Sequence, residues 1–215
     1  MTGIAIHWPM AGGALVLLLL PIGLFHGART RHRALSSDWS GYWGRTLGHG
    51  FHAIDFGRAM LGAWYLVDGL LPAADATGIA VHAPLLAQSA VLAIGTTLQT
   101  FVCKERHAAC APFAYTAGVA TGFLPITVGW FAVTLAIVFT FGVRAPALFF
   151  PALSAAVAGV SLLMAGLDPV PAHLAAAAAA GLPWLLTLLF PRELTVACLA
   201  RTASSERIAA GDVRK

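Results

Sequence analysis

The sequence predicts an all-α protein, a multi-pass bundle of transmembrane helices. Of its 215 residues, 59% are hydrophobic and only 10% are charged, whereas soluble domains carry about 25% charged residues. The mean hydropathy is +0.80. A soluble domain of this size has too little interior to bury so much apolar surface. The composition therefore excludes a disordered chain, a disulfide scaffold and a soluble nucleic-acid-binding domain.

Six apolar stretches predict the membrane crossings, because about 20 helical residues cover a hydrocarbon core of about 30 Å. They are continuous rather than alternating, which favours helices over membrane strands. The stretches are Met10 to His26, Ile54 to Leu71, Val81 to Val102, Pro112 to Val143, Ala145 to Leu167 and Ala172 to Phe190. We expect residues 1–190 to form the transmembrane domain, with a cytoplasmic or interfacial loop at 27–53. Residues 191–215 are expected to form a cytoplasmic tail.

The first stretch has the wrong polarity for a cleaved secretory signal. Its leading residues lack lysine and arginine, and the basic cluster Arg29, Arg31 and Arg33 follows the apolar run. A secretory signal has the opposite order. The pattern predicts a retained first helix whose C-terminal end faces the cytoplasm.

The fourth stretch is too long for one upright crossing, since Pro112 to Val143 would extend about 48 Å as a helix. Pro125 cannot donate a helical hydrogen bond, and a break is expected between Gly122 and Pro125. A single tilted and kinked crossing divides the 13 basic residues almost equally between the two sides. A hairpin puts all 13 on one side, as the positive-inside rule favours. The hairpin gives up to seven spans.

The same charge rule predicts the orientation in a bacterial inner membrane. With the hairpin, Met1 lies outside and Lys215 lies in the cytoplasm.

Cys103, His107 and Cys110 are spaced so that one helical face would hold them, and Cys198 is a fourth candidate ligand. Thiolates and imidazoles bind zinc and other soft metals. The spacing matches no compact zinc motif, so the alternative is a loop with ordinary cysteines.

Four histidines lie near the ends of predicted spans, which are His26, His52, His82 and His173. Facing histidines on two helices can hold a haem, whereas the alternative is that histidine is simply tolerated at the interface. Asp55 is a helical neighbour of His52 and also of Arg58, so it can orient the imidazole or form an ion pair. An interfacial amphipathic helix is the simpler interpretation of this region.

Gln88 and Gln99 share one stripe of the third stretch, because eleven residues are close to three helical turns. With Tyr115 and Pro125 of the fourth stretch they are candidates either for a polar path or for helix packing. Asp68 is the one acid that we place well inside an apolar run. The sequence thus predicts no buried charge pair, which argues against an ion-coupled pump.

The function expected from these observations is non-enzymatic. The chain has no phosphate-binding loop, no nucleophile elbow, no zinc-protease helix and no dinucleotide fingerprint. We expect a scaffold or accessory subunit that packs against other membrane helices or lipids, without a cofactor and without nucleic acid. A small permease or channel using the broken fourth stretch is one alternative, and a haem- or metal-binding redox protein is another.

Overall fold

The computed structural model describes residues 3–21, 30–35, 50–102, 108–165, 170–190 and 192–199. These residues form an all-α bundle with short strands at its two ends. The helices are α1 Trp8–Leu19, α2 Gly50–Gly69, α3 Ala83–Phe101, α4 Phe113–Phe123, α5 Ile126–Val143, α6 Phe149–Ala165 and α7 Val170–Leu189. Short 3-10 helices at Gly78–His82 and Pro146–Leu148 precede α3 and α6.

Two small sheets cap the bundle. Strands β1 (Ile4–Ile6) and β3 (Leu70–Pro72) pair antiparallel at one end. Strands β2 (Thr30–Ala34), β4 (Ala108–Cys110) and β5 (Glu193–Leu199) form a second sheet in the order β2-β5-β4, with β5 antiparallel to β2 and parallel to β4. We call the end of the bundle that carries this second sheet the sheet end.

The three-stranded sheet was not predicted from the sequence. Part of the expected loop 27–53 and part of the expected tail 191–215 are joined in it by backbone hydrogen bonds. Leu194 and Val196 of β5 are 7% and 1% exposed, and they belong to the same core as Leu35. The described part of the tail is therefore packed onto the bundle through apolar side chains.

Close glycine contacts show the directions of the helices. Gly69 packs on Ala11 and Gly62 on Leu18, so α1 and α2 are antiparallel. Phe101 and Phe190 stack edge to face at 5.4 Å, so α3 and α7 end together. Successive helices alternate in direction along the chain. Those that run toward the sheet end are α1, α3, α5 and α7, and those that run away from it are α2, α4 and α6.

The predicted break in the fourth stretch is confirmed. Helix α4 ends at Phe123, Leu124 and Pro125 are extended, and α5 begins at Ile126. Gly129 of α5 packs back against the backbone of α4 at Ala120. The segment is a helical hairpin, and the alternative of one kinked helix is wrong.

The hairpin turn lies about halfway along α2. A Cβ atom on Gly118 would overlap the carbonyl oxygen of Phe56, and one on Gly122 would overlap that of Met60. Backbone contact this close is possible only without a side chain. With 11 residues, α4 extends only about 16 Å, so it is a half-length helix.

Within the described ranges, four helical stretches are long and apolar enough to cross a membrane by length and composition: Gly78–Phe101, Ile126–Val143, Pro146–Met164 and Pro171–Leu189. Helix α1 is shorter. We expected the stretch Met10 to His26 to form the first crossing, but α1 has 12 residues and extends about 18 Å. Pro21 follows its end and cannot continue the helix.

Candidate functional site

The C-terminal end of α1 lies beside the middle of α2, where Leu18 is fully buried and Leu20 is 45% exposed. Its last carbonyl groups have no partners further along the helix, and such groups need donors when they are buried. Arg58 of α2 supplies two of these hydrogen bonds. Its Nη1 donates to the carbonyl oxygen of Leu17 at 2.5 Å and to that of Leu20 at 2.8 Å.

Two further side chains donate to the same helix end. Nε2 of Gln99 donates to the carbonyl oxygens of Leu20 at 3.0 Å and Leu18 at 3.4 Å. The hydroxyl of Tyr115 donates to that of Leu18 at 3.2 Å. Helices α2, α3 and α4 each contribute one donor, so the end of α1 is held from three sides. We call Asp55, Arg58, Gln99 and Tyr115 the helix-end cluster.

Asp55 balances the charge of Arg58. Its Oδ1 accepts from Nε of Arg58 at 2.7 Å and lies 2.5 Å from Nη2. The side chains of Arg58 and Asp55 are only 12% and 7% exposed. The guanidinium also lies over the ring of Tyr115, 5.4 Å from its centroid. A cation at a helix C-terminus is favoured by the helix dipole, and the carboxylate compensates the buried charge.

This pair corrects one prediction from the sequence. We expected no buried charge pair, because Asp55 and Arg58 were assigned to an interfacial helix. The structure confirms the alternative in which Asp55 pairs with Arg58, and it places the pair in the interior.

Gly95 of α3 makes room for the cluster. A Cβ atom at this position would overlap the hydroxyl of Tyr115 and would lie 3.1 Å from the carbonyl oxygen of Leu18. The neighbouring Thr96 is 1% exposed, and its Oγ1 has no hydrogen-bond partner among the described residues. Small side chains on α3 thus let three polar groups converge on one helix end.

The two glutamines of the predicted polar stripe bind backbone groups. Nε2 of Gln88 donates to the carbonyl oxygen of Leu70 at 3.0 Å, which ties α3 to β3. Nε2 of Gln99 donates to the end of α1. Pro125 is an exposed residue of the hairpin turn and immediately precedes α5.

The predicted metal ligands are only partly described. Cys103 and His107 lie outside the described residues, and so does the side chain of Cys198. Cys110 lies on β4 rather than on the expected helix, opposite Thr195 of β5. Among the described residues, no three histidine, cysteine or acidic side chains come together in a group that could hold a metal ion.

The histidines occupy different surroundings. His26 lies outside the described residues, while His52 lies in the first turn of α2 at the sheet end. His82 is exposed before α3, and His173 is 3% exposed in α7. Since α3 and α7 run in the same direction, His82 and His173 lie toward the same end of the bundle. Haem binding by these histidines stays a prediction.

The sequence did not point to the carbonyl groups of Leu17, Leu18 and Leu20 as part of a site. Pro21 is the available signal, since a proline can end a helix and leave its last carbonyls without helical partners.

Known protein families, characterised proteins and solved structures give no match to this chain.

Proposed function

We propose that this protein is a non-enzymatic integral membrane protein that acts as a scaffold or accessory subunit and packs against other membrane helices or lipids. The observation that carries the proposal is the use of the helix-end cluster. Arg58, Gln99 and Tyr115 each donate to the end of α1, and Asp55 binds Arg58. Polar groups engaged in this way stabilise the fold rather than offering a reactive or binding group.

The outer surface supports the same function. Along α5 large apolar side chains face outward, and Phe131, Val138 and Phe139 are 60%, 63% and 50% exposed. In a membrane such a surface contacts lipid chains or the helices of a partner. We place the protein in a bacterial inner membrane with the sheet end in the cytoplasm. Arg144 and Arg192 both lie toward that end, as the positive-inside rule requires.

Purification in a mild detergent tests the scaffold function. Light scattering should give a protein mass well above that of the 22.3 kDa chain, with one additional membrane protein in fixed proportion. The proposal is contradicted if the chain is purified without a partner protein at every detergent concentration, from cells that express it at natural levels.

A small permease is the second candidate, and one observation favours it. The end of α1 and the α4–α5 turn both lie about halfway along α2, and the end of α1 lies beside the buried pair of Asp55 and Arg58. Interrupted helices that end near the middle of a membrane are typical of transporter binding sites. Buried ionisable groups at that depth are commonly part of an ion path.

Proteoliposomes distinguish the two functions. Vesicles containing the purified protein and a pH-sensitive dye should show no proton flux beyond that of empty vesicles if the scaffold proposal is correct. A flux that Asp55→Asn abolishes and Asp68→Asn preserves would establish the permease in its place. Asp68 is the matched control because it lies on the same helix near the opposite end.

A further inference from the structure

An apolar groove crosses the sheet-end half of the bundle between α2, α4 and α5, and reaches Phe149 at the start of α6. Its volume is about 360 Å³. Its lining includes Ala53, Phe56, Ala117, Trp130, Ile137 and Phe141. Trp130, Ile137 and Phe141 are 48%, 39% and 40% exposed, so the groove is open to the surroundings of the bundle.

The length of the groove matches one leaflet of a bilayer. Trp130 is close to the hairpin turn, which lies halfway along α2, and Phe141 is close to the sheet end. Between these two residues α5 rises about 16 Å. This is about half of the hydrocarbon thickness of about 30 Å.

All of the residues that line the groove are apolar except His52 and Thr140, so the groove suits a hydrocarbon occupant. An acyl chain of the surrounding leaflet reaches such an open groove directly. Ala53 and Ala117 contribute small side chains to the lining, and the rings of Phe56 and Trp130, whose centroids are 5.7 Å apart, lie beside each other in it.

Polar residues line the groove at the sheet end, and a basic residue follows soon after one of them at the end of α5. His52 and Thr140 contribute to its lining. Arg144 follows α5 directly, three residues after Phe141, and is exposed. A basic residue at the membrane surface attracts an anionic headgroup.

We propose that this groove binds one acyl chain of an anionic glycerophospholipid from the leaflet at the sheet end, with Arg144 beside the headgroup. The inference rests on the proposed scaffold function, since it names one lipid against which the bundle packs. No chemical step is involved. The bound lipid fills the space between the helical hairpin and α2, and thereby supports their contact.

Native mass spectrometry of the detergent-purified chain tests the proposal. The probes are phosphatidylglycerol and phosphatidylcholine with the same two oleoyl chains. We expect one phosphatidylglycerol per chain to be retained in preference to phosphatidylcholine. Ala53→Trp fills the groove and should lower phosphatidylglycerol retention at least five-fold. Ile54→Trp is the matched control, because Ile54 is the next residue of α2, is 62% exposed and lies outside the groove.

The charge contribution has its own pair of variants. Arg144→Asn should weaken phosphatidylglycerol binding about five-fold, the loss expected for one basic residue near a membrane surface, and should leave phosphatidylcholine binding unchanged. Asparagine is chosen because Arg144 has a φ of 57°, a conformation that asparagine tolerates. Arg192→Gln, also at the sheet end, should change the preference for phosphatidylglycerol less than Arg144→Asn does.

Several outcomes would overturn the lipid site. One is equal phosphatidylglycerol retention by Ala53→Trp and Ile54→Trp, and another is a second protein chain that Ala53→Trp displaces. Circular dichroism verifies that each variant is folded, and Ala53→Leu replaces Ala53→Trp if the larger side chain prevents folding. If the chain shows no specific lipid binding but a partner protein still co-purifies, only the lipid inference is rejected. Lipid binding by a chain that has no partner protein rejects the accessory-subunit role alone.

Discussion

Arg58 makes more polar contacts than its position in a helix interior would suggest. It binds two carbonyls of α1, the carboxylate of Asp55 and the face of Tyr115. Each contact replaces water that a buried charge would otherwise need. A single side chain thus joins α1, α2 and α4, and its loss removes the donor to the carboxylate of Asp55 and to the carbonyl oxygen of Leu17.

Replacing Arg58 by leucine should therefore lower the free energy of unfolding by about 3–5 kcal/mol, the cost of removing one member of a buried ion pair. Denaturant unfolding in detergent, followed by circular dichroism, measures the change. Arg192→Leu is the control, because Arg192 is exposed and lies over the ring of Phe101 at 5.3 Å. It should cost no more than about 1 kcal/mol. Similar losses for the two variants would show that the buried contacts contribute little.

Gly122 is the second residue on which the interior depends. Alanine at this position would place Cβ against the carbonyl oxygen of Met60, and one backbone must move to relieve the overlap. We expect Gly122→Ala to cost about 1–3 kcal/mol, as overpacking generally does.

Gly159→Ala is the matched control for this substitution. Nothing lies within 4 Å of a Cβ atom at Gly159, so the better helix propensity of alanine should raise stability by up to about 1 kcal/mol. Thermal unfolding of the two variants in the same detergent compares them. An equal effect of both substitutions would show that the contact of α4 with α2 is looser than described.

At the scale of elements, the features predicted from the sequence are those with a local cause. Pro125 and the length of its stretch predicted the helical hairpin. Pro21 in the same way indicates where α1 ends. The hydrogen bond from Gln99 to Leu20 joins residues 79 positions apart, and no local pattern indicates that pairing. The β2-β5-β4 sheet escaped prediction for the same reason, since its strands come from distant parts of the chain.

Strand β5 is the element that holds this sheet together, because it is the central strand. Val196→Asp places a charge at a position that is 1% exposed and should separate β5 from the bundle. Hydrogen exchange measured by mass spectrometry should then show lost protection in residues 30–34 and 108–110, with α5 and α6 unchanged. Glu193→Gln is the control on the exposed first residue of the strand. Unchanged protection of β2 and β4 in Val196→Asp would contradict the role of β5.

At the scale of the whole molecule, the connections alternate between the two ends of the bundle. Asp75 lies between β3 and α3, whereas Arg144 and Arg192 follow helices that run toward the sheet end. Three of the described α-helices lie between Asp75 and Arg144, and five lie between Asp75 and Arg192. Because the number is odd in both cases, the two arginines lie toward the opposite end of the bundle from Asp75. The charge distribution then predicts which end faces the cytoplasm.

Single cysteines introduced at Asp75, Arg144 and Arg192, in a chain whose own cysteines are replaced by serine, test this orientation. A membrane-impermeant maleimide added to intact spheroplasts should label the cysteine at position 75 and should miss those at 144 and 192. Permeabilised cells should show labelling at all three positions. Labelling at 144 or 192 in intact spheroplasts would reverse the proposed orientation.

The order of strands in the three-stranded sheet has a consequence for biosynthesis. A ribosome makes β2 and β4 long before it makes β5, yet β5 lies between them. Until the end of α7 has left the ribosome, each of the earlier strands lacks its neighbour in this sheet and can pair with another chain. Closure of the sheet end is thus a late step that follows insertion of the helices. A nascent chain that is halted before residue 193 should be more prone to aggregate than one released after residue 199.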